Sequence, residues 1–322
     1  MTQQLLEVQK DFAREILKGL ERTPKCLPSK YFYNAEGDAL FQKIMELDEY
    51  YLTRAEHQII SEHKAEILKS FLGTDNNFRL VELGAGDGTK TRTLLEHFVQ
   101  VGADFVYSPI DISENVLQQL EERMVEAIPD LQIEYIQGEY FNALSELNEN
   151  HLTKEVVLFL GSTIGNFGIE PGTAFLKKLS ENLSPGDLLF IGFDLMKDPR
   201  TVLSAYDDKS GVTRDFNFNL LNRINDELGA DFDIDKFQHY PTYDPVSGET
   251  RSYLISREKQ QVKFEALDYV LELNQWEAIH TEVSQKYSYQ MIEKLAKESG
   301  FRIKQHFTDE QELFVDSLWE KI

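Results

Sequence analysis

Apolar residues along this chain keep two rhythms, and the places where the rhythm changes divide it. A largely apolar run over 78–83 ends in three glycines on alternate positions, Gly84, Gly86 and Gly88, and a helical pattern over 91–98 follows at once. Buried strand, tight turn and helix in that order form the first unit of a doubly wound α/β sheet. The rhythm then repeats. A second strand is expected over 105–113, with its helix over 114–128. A third is expected over 131–136, running out at Gly138-Glu139-Tyr140-Phe141. The run 156–160 is apolar on both faces, as a strand of a covered parallel sheet must be. A helix over 171–183 and a fifth strand over 188–193, ending at Asp194, complete the series. Strands alternating with helices predict parallel pairing through right-handed crossovers.

From about 197 to 287 that rhythm breaks. A polar helical stretch over 213–229 precedes three runs of period-two alternation, 237–243, 250–257 and 262–273, with a turn at Pro245 to Gly248 between the first two. A helix resumes over 289–300, and 301–307 with 312–318 reads as a closing antiparallel hairpin. At the N-terminus a helix is expected over 1–20 (Leu5, Phe12, Ile16 and Leu20 on one face), then a short one over 39–47 and another over 57–71. The expected organisation is a discontinuous α/β core, 57–196 plus 287–322, and a second α+β unit, 1–56 plus 197–286.

Composition narrows the function. At 322 residues the chain can bury a full core and a smaller second unit. Lys+Arg number 33 against Asp+Glu 56, a net charge of −23. Such a surface repels phosphate backbones and anionic lipid, so neither nucleic acid nor membrane is an expected partner. A single cysteine, Cys26, excludes an intramolecular disulfide framework and a cysteine-cluster metal site, and fits the reducing cytoplasm. No apolar run reaches the roughly 18 residues of a membrane span, and the first residues lack the apolar core of a leader peptide.

In an open α/β sheet, ligands lie outside the carboxyl ends of the strands. Four of these ends carry polar residues: Glu82, Asp111, Glu139 and Asn166. Asp111 is placed to accept the two hydroxyls of a ribose; with Ser113 and Glu114 behind it, a helix cap is the alternative use. Lys90, in the first turn after the glycines, could meet a carboxylate with help from the helix N-terminus. Thr89 stands where a dinucleotide fingerprint needs its third glycine. Near the end of the irregular region, alternation puts Glu282 and Ser284 on one face, about 7 Å apart. A carboxylate and a hydroxyl at that spacing could hold the two nitrogens of an imidazole, or simply decorate an exposed strand.

The run Glu82-Leu-Gly-Ala-Gly-Asp-Gly88 is similar to the first motif of class I S-adenosylmethionine (SAM) methyltransferases. The chain as a whole resembles the L-histidine Nα-methyltransferases of ergothioneine biosynthesis. That likeness rests on Pro28-Ser-Lys-Tyr-Phe-Tyr33 with Gly37-x-x-Leu-Phe41, Glu49-Tyr-Tyr-Leu-Thr-Arg-Ala-Glu56, Val81-Glu-Leu-Gly-Ala-Gly86 with Lys90-Thr91, and Gly161-Ser-Thr-Ile-Gly-Asn166. It continues through Ala205-Tyr-Asp-Asp208 with Gly211-Val-Thr213, Asn225-x-Glu-Leu-Gly-Ala-Asp-Phe232 and Thr281-Glu-Val-Ser284.

The resemblance implies a class I methyltransferase sheet, mostly parallel with a C-terminal antiparallel hairpin, joined to an α+β substrate domain. It implies SAM as methyl donor, no metal, and L-histidine with its mono- and dimethyl forms as substrates of a monomeric cytoplasmic enzyme. Carried over by position, the cofactor contacts fall on Gly84, Gly86, Lys90, Asp111, Glu139 and Tyr140. The substrate contacts fall on Tyr50, Asn166, Tyr206, Glu282 and Ser284, with Tyr33 catalytic at the reactive amine. In that picture Asn166 and Tyr206 hold the amino acid's carboxylate, and Glu282 and Ser284 read the imidazole. Two positions depart from the family pattern. Gly138-Glu139-Tyr140 stands for the usual Gly-Asp-Phe, and Asp87-Gly88 for an expected Thr-Ser. The alternatives are an N-methyltransferase of another small amine such as tryptophan, and a non-catalytic SAM-binding regulator.

Overall fold

The computed structural model describes residues 3–72, 77–86, 88–112, 114–148 and 153–322. In chain order the strands are β1 (Lys25–Cys26), β2 (Asn77–Leu83), β3 (Asp104–Asp111), β4 (Ile136–Gln137), β5 (Lys154–Phe159), β6 (Leu188–Asp194) and β7 (Phe237–Tyr243). They continue with β8 (Glu249–Ser256), β9 (Gln260–Phe264), β10 (Tyr269–Leu273), β11 (Ala278–Gln285), β12 (Phe301–Thr308) and β13 (Phe314–Lys321). The chain divides into two compact units, one of Leu52–Met196 and Gln285–Ile322, the other of Met1–Tyr51 and Lys197–Ser284.

The first unit is built on a seven-stranded sheet in the order β12-β13-β6-β5-β2-β3-β4. Strands β6, β5, β2, β3 and β4 run parallel, and β13 and β12 close the edge antiparallel. This is the doubly wound sheet with a terminal hairpin that the alternating pattern implied. Every residue of β6 and all but the first of β5 are buried, which is why both read as continuous apolar runs. From β2 the chain winds outward through β3 and β4, then returns to β5 and β6 on the other side. The carboxyl ends of β2 and β5 therefore flank the switch point of the sheet, where a crevice opens.

The second unit has a four-stranded sheet, β1-β11-β8-β7, with β1 parallel to β11 and β7 antiparallel to β8. Phe12, Ile16, Phe32, Ile44, Phe216, Leu220, Leu254 and Ile279 belong to its core. Asp208 starts the helix Val212–Leu228 by accepting the amides of Val212 (3.0 Å) and Thr213 (2.8 Å) and the Ser210 hydroxyl (2.6 Å). Those donors hold its carboxyl down at about 2, against the upward push of burial.

Several expected elements differ. The third strand shrinks to β4, with one isolated bridge from Ile133 to Tyr107. Gln132 and Glu134 in that stretch are exposed at the sheet edge, and Glu134 pairs with Arg79 instead (2.9 Å). A helix, Tyr140–Asn148, then forms where none was expected, as does the short helix Pro199–Ser204. The run 262–273 is not one strand but the hairpin β9–β10, folded at Asp268 (φ 46°). Its alternation survives folding in half, because Val262 and Phe264 pair across from Leu271 and Tyr269 and the inward residues stay inward. The helix expected from 57 begins at Tyr51, and that expected from 39 begins at Ala35, where the Asn34 side chain accepts the Gly37 amide at 2.8 Å. Met1 and Thr2, Asp87 of the departing turn, and Ser113 lie outside the described residues.

At the amino end of β5 two acids are buried together. Asp187 accepts the backbone amides of Glu155 (2.9 Å) and Ser184 (2.7 Å), which suits an anion. Glu155 is driven the other way: burial, then the Asp187 charge, push its carboxyl up to about 8. A folded-state value above the unfolded one means the folded protein holds a proton that the unfolded chain gives up, so this contribution is lost as pH rises from about 4.5 through 8. Glu155→Gln keeps the shape and removes the proton. It should stabilise the protein by on the order of 2 kcal/mol at pH 8 and by little at pH 5. Thermal melts at the two pH values check this; equal shifts would show that Glu155 is not held neutral.

Candidate active site

The turn after β2 is set by an acid without water. Glu82 is 4% exposed, and its carboxylate accepts the hydroxyls of Thr91 (2.6 Å) and Tyr107 (2.5 Å). Burial pushes it up to about 7, with the two hydroxyls pulling back. The three glycines that follow have separate tasks. Gly84 (φ 73°) lies so near Tyr140 that a Cβ would stand 2.8 Å from the phenol oxygen. Gly86 (φ 55°) has nothing within 4 Å of that position, so bare backbone faces open space. At Gly88 (φ 70°) a Cβ would fall 2.2 Å from Met124 Cε and 2.5 Å from Leu120 Cδ1, so this glycine admits the helix Glu114–Ala127.

Asp111 ends β3, beside the Gly84 turn, whose amide donates to Ile110 O at 3.3 Å. Burial raises the Tyr140 phenol above its ordinary value, and the charges of Asp111 and Glu82 raise it further, which places all three close together. Gly84, Asp111 and Tyr140 thus converge. Glu139 differs: its carbonyl starts the helix by accepting the Ala143 amide (3.0 Å) and its side chain is exposed. Lys90 donates to Glu56 Oε2 at 2.6 Å. Asn166 is exposed on the 3-10 turn Thr163–Phe167, which starts from Ser162 in the left-handed region (φ 53°). Open backbone at Gly86 with an acceptor at Asp111 fits a nucleoside carrying a cationic tail. A pyrophosphate would instead meet the carboxylate of Asp111.

In the other unit, Tyr33, Tyr206 and Glu282 come together from distant parts of the chain. Tyr33 is 44% exposed overall, yet partial burial raises its phenol, and the charges of Glu282, Asp38 and Tyr206 add to the rise. Its ring stands edge-on to Phe41 (5.7 Å), which meets Tyr50 in turn (6.3 Å). On β11, Ile279 and Thr281 face inward, Glu282 is half-buried and Ser284 is buried. The Ser252 hydroxyl donates to Glu282 Oε2 at 3.4 Å. Thr281 is pinned by its own hydroxyl to Asn217 Oδ1 (2.8 Å) and Ser252 O (3.1 Å), which fixes the register of the strand that carries Glu282.

Some residues of consequence escaped the sequence. Ser252 and Asn217 carried no signal. Neither did Lys286 and Asp194, both fully buried, whose charges pair at 2.8 Å. Glu56 did carry one. It shares the buried stripe of Leu52, Ala55, Ile59 and Ile60 on its helix, and an acid on an apolar stripe must have a buried partner.

Residues 12–321 match the family described as "Histidine-specific methyltransferase, SAM-dependent". The chain is 38% identical over 296 residues to the histidine N-alpha-methyltransferase of Mycolicibacterium smegmatis, covering 92% of this chain and 90% of that one. It is 36% identical over 297 residues to the enzyme of the same name from Mycobacterium tuberculosis, covering 92% and 91%. Ergothioneine biosynthesis protein 1 of Neurospora crassa is 31% identical over 285 residues, which cover 86% of this chain and 31% of that protein.

The three glycines should respond differently to a methyl group. Gly86→Ala meets only the cost of the left-handed backbone, about 1–2 kcal/mol. Gly88→Ala adds a steric clash with Met124 and Leu120, and should cost about 1–3 kcal/mol more. Urea melts of the two variants measure this, and equal losses would remove Gly88 from its packing role.

Proposed function

The chain belongs to the histidine-specific, SAM-dependent methyltransferases, and we propose that it methylates the α-amino nitrogen of L-histidine three times in succession. The product is Nα,Nα,Nα-trimethylhistidine (hercynine), as in ergothioneine biosynthesis. The observation that carries the reading is the meeting of Tyr33, Tyr206 and Glu282 in one unit. It sets a phenol, a carboxylate and a second phenol within electrostatic reach of one another.

SAM supplies a methyl group already activated on its sulfonium. The protein's part is to bind, to orient and to keep the amine neutral. In this reading Asp111 takes the ribose hydroxyls, the bare backbone at Gly84 and Gly86 lies along the amino-acid tail, and Lys90 faces its carboxylate. Glu282 accepts the N–H of a neutral imidazole and the Ser284 hydroxyl donates to the bare nitrogen. Tyr33 stays a phenol throughout the physiological range, since its environment opposes ionisation. It therefore serves as a neutral hydrogen-bond partner of the amine and not as a base. Before each transfer the α-ammonium gives up a proton to solvent; the amine then attacks the methyl carbon as the S–C bond breaks, and becomes an ammonium again. After the third transfer no N–H remains, and the sequence stops.

Incubation with SAM and L-histidine should give three successive mass increments of one methyl each, all on the α-nitrogen by fragmentation. Methylation of the ring, or none, would exclude the reading. Glu282→Ala should raise the histidine KM about tenfold or more, since it leaves an imidazole N–H unpaired, while SAM affinity stays as in the parent. It should also narrow the preference for histidine over phenylalanine and tryptophan. Steady-state kinetics with an unchanged histidine KM would dismiss Glu282 as a reader of the ring.

A further inference from the structure

Glu56 has no place in the reaction as described, yet it is among the most constrained charges in its unit. It is 1% exposed, and its two oxygens take donors from distant segments, the Lys90 ammonium on Oε2 and the Gly161 amide on Oε1, both at 2.6 Å. The room for this bracket is made by glycines. A Cβ on Gly192 of β6 would stand 2.7 Å from Glu56 Oε1, and one on Gly161 would stand 3.1 Å from Lys90 Nζ.

A third ionisable group faces the same place. Asp316 on β13 pairs in register with Gly192, is fully buried, and neither of its carboxyl oxygens has a hydrogen-bond partner among the described residues. Burial, then the Glu56 charge, keep it well above the usual carboxylate range in spite of Lys90. The bracket itself is a carboxylate and an ammonium in contact, with Asp316 facing them. Lys90 is 27% exposed, so the N–H groups that Glu56 does not use remain available to a ligand.

We propose that Glu56 is a positioning residue for cofactor binding, fixing the Lys90 ammonium and the Gly161 backbone so that Lys90 meets the carboxylate of SAM's amino-acid tail already in place. The proposal rests on the SAM-binding reading of the glycine turn. Two physical effects here have opposite signs. An anion beside Lys90 weakens its attraction for a second carboxylate, so by charge alone removing Glu56 would tighten SAM binding. A lysine freed from its anchor must instead be ordered at binding, at a cost in side-chain entropy, and the Gly161 backbone loses its acceptor. The bracket geometry, two short contacts on one buried carboxylate, says that positioning outweighs charge.

Calorimetric titration of SAM and of S-adenosylhomocysteine into the parent, Glu56→Gln, Lys90→Gln and the double variant distinguishes the two. Each single variant should bind both ligands about tenfold or more weakly. The double variant should be no weaker than the worse single, because Glu56 acts through Lys90. Glu56→Asp keeps the charge pair but cannot reach both donors. It should fold, as followed by circular dichroism, and still lose affinity, and so carries the test if Glu56→Gln does not fold. Affinity unchanged or improved in Glu56→Gln or Glu56→Asp, or losses that multiply in the double variant, would overturn the proposal. A parent that fails to bind SAM would instead overturn the reading on which it rests.

Discussion

Much of the sheet-bearing unit hangs on a carboxylate that has been taken out of water and given only hydroxyls in exchange. Glu82 is the last polar residue before the glycine turn, and its two partners come from β3 and from the helix behind the turn. One side chain therefore ties three consecutive elements at the point where the backbone must be bare. Were Tyr107 or Thr91 elsewhere, the strand end could slide, and Gly84 and Gly86 would no longer lie beside Asp111. Because neither partner is a cation, the group sits near neutrality, held by geometry more than by charge.

The same chain shows three further answers to a buried acid. Glu56 is satisfied by an ammonium and a backbone amide, Asp194 by the ammonium of Lys286, and Glu155 by keeping its proton. A protein with 56 acidic residues cannot leave them all at the surface, and where one is buried its partner decides its charge.

What could be read in advance follows from which signals are local. β5 and β6 were legible because strands covered on both faces must be largely apolar, β2 because its apolar residues run straight into the glycine turn, and that turn because φ > 0 leaves few choices of residue. β4 was overestimated because an edge stretch with Gln132 and Glu134 keeps the look of a strand, while its backbone bonds β3 only at Tyr107 before the two residues of β4. β9 and β10 merged because period-two alternation does not reveal a fold at its midpoint. The two residues of β1 are too few for any period, and pair only because β11 lies beside them. For the candidate site, Gly84, Gly86 and Asp111 stood out by position in a βα unit. Tyr33, Tyr206 and Glu282 did not, since nothing in their own neighbourhoods announces that they meet. Only the family likeness pointed to Tyr33 and Tyr206, strand alternation had also marked Glu282, and Ser252 lay outside both.

The stretch from Lys197 to Ser284 leaves the sheet-bearing unit and returns to it through backbone that is already paired. Met196 donates to Tyr287 O at 2.9 Å, Tyr287 donates to Asp194 O at 2.9 Å, and Leu195 and Tyr287 form a parallel bridge. The two stems of the insertion are thus clipped together, and the ionic bond from Lys286 to Asp194 locks the clip from beneath. Whatever is threaded between them closes a loop whose ends already touch, so its length weighs only logarithmically on the host. A lineage can lengthen, trim or rebuild that guest while the host sheet is inherited intact.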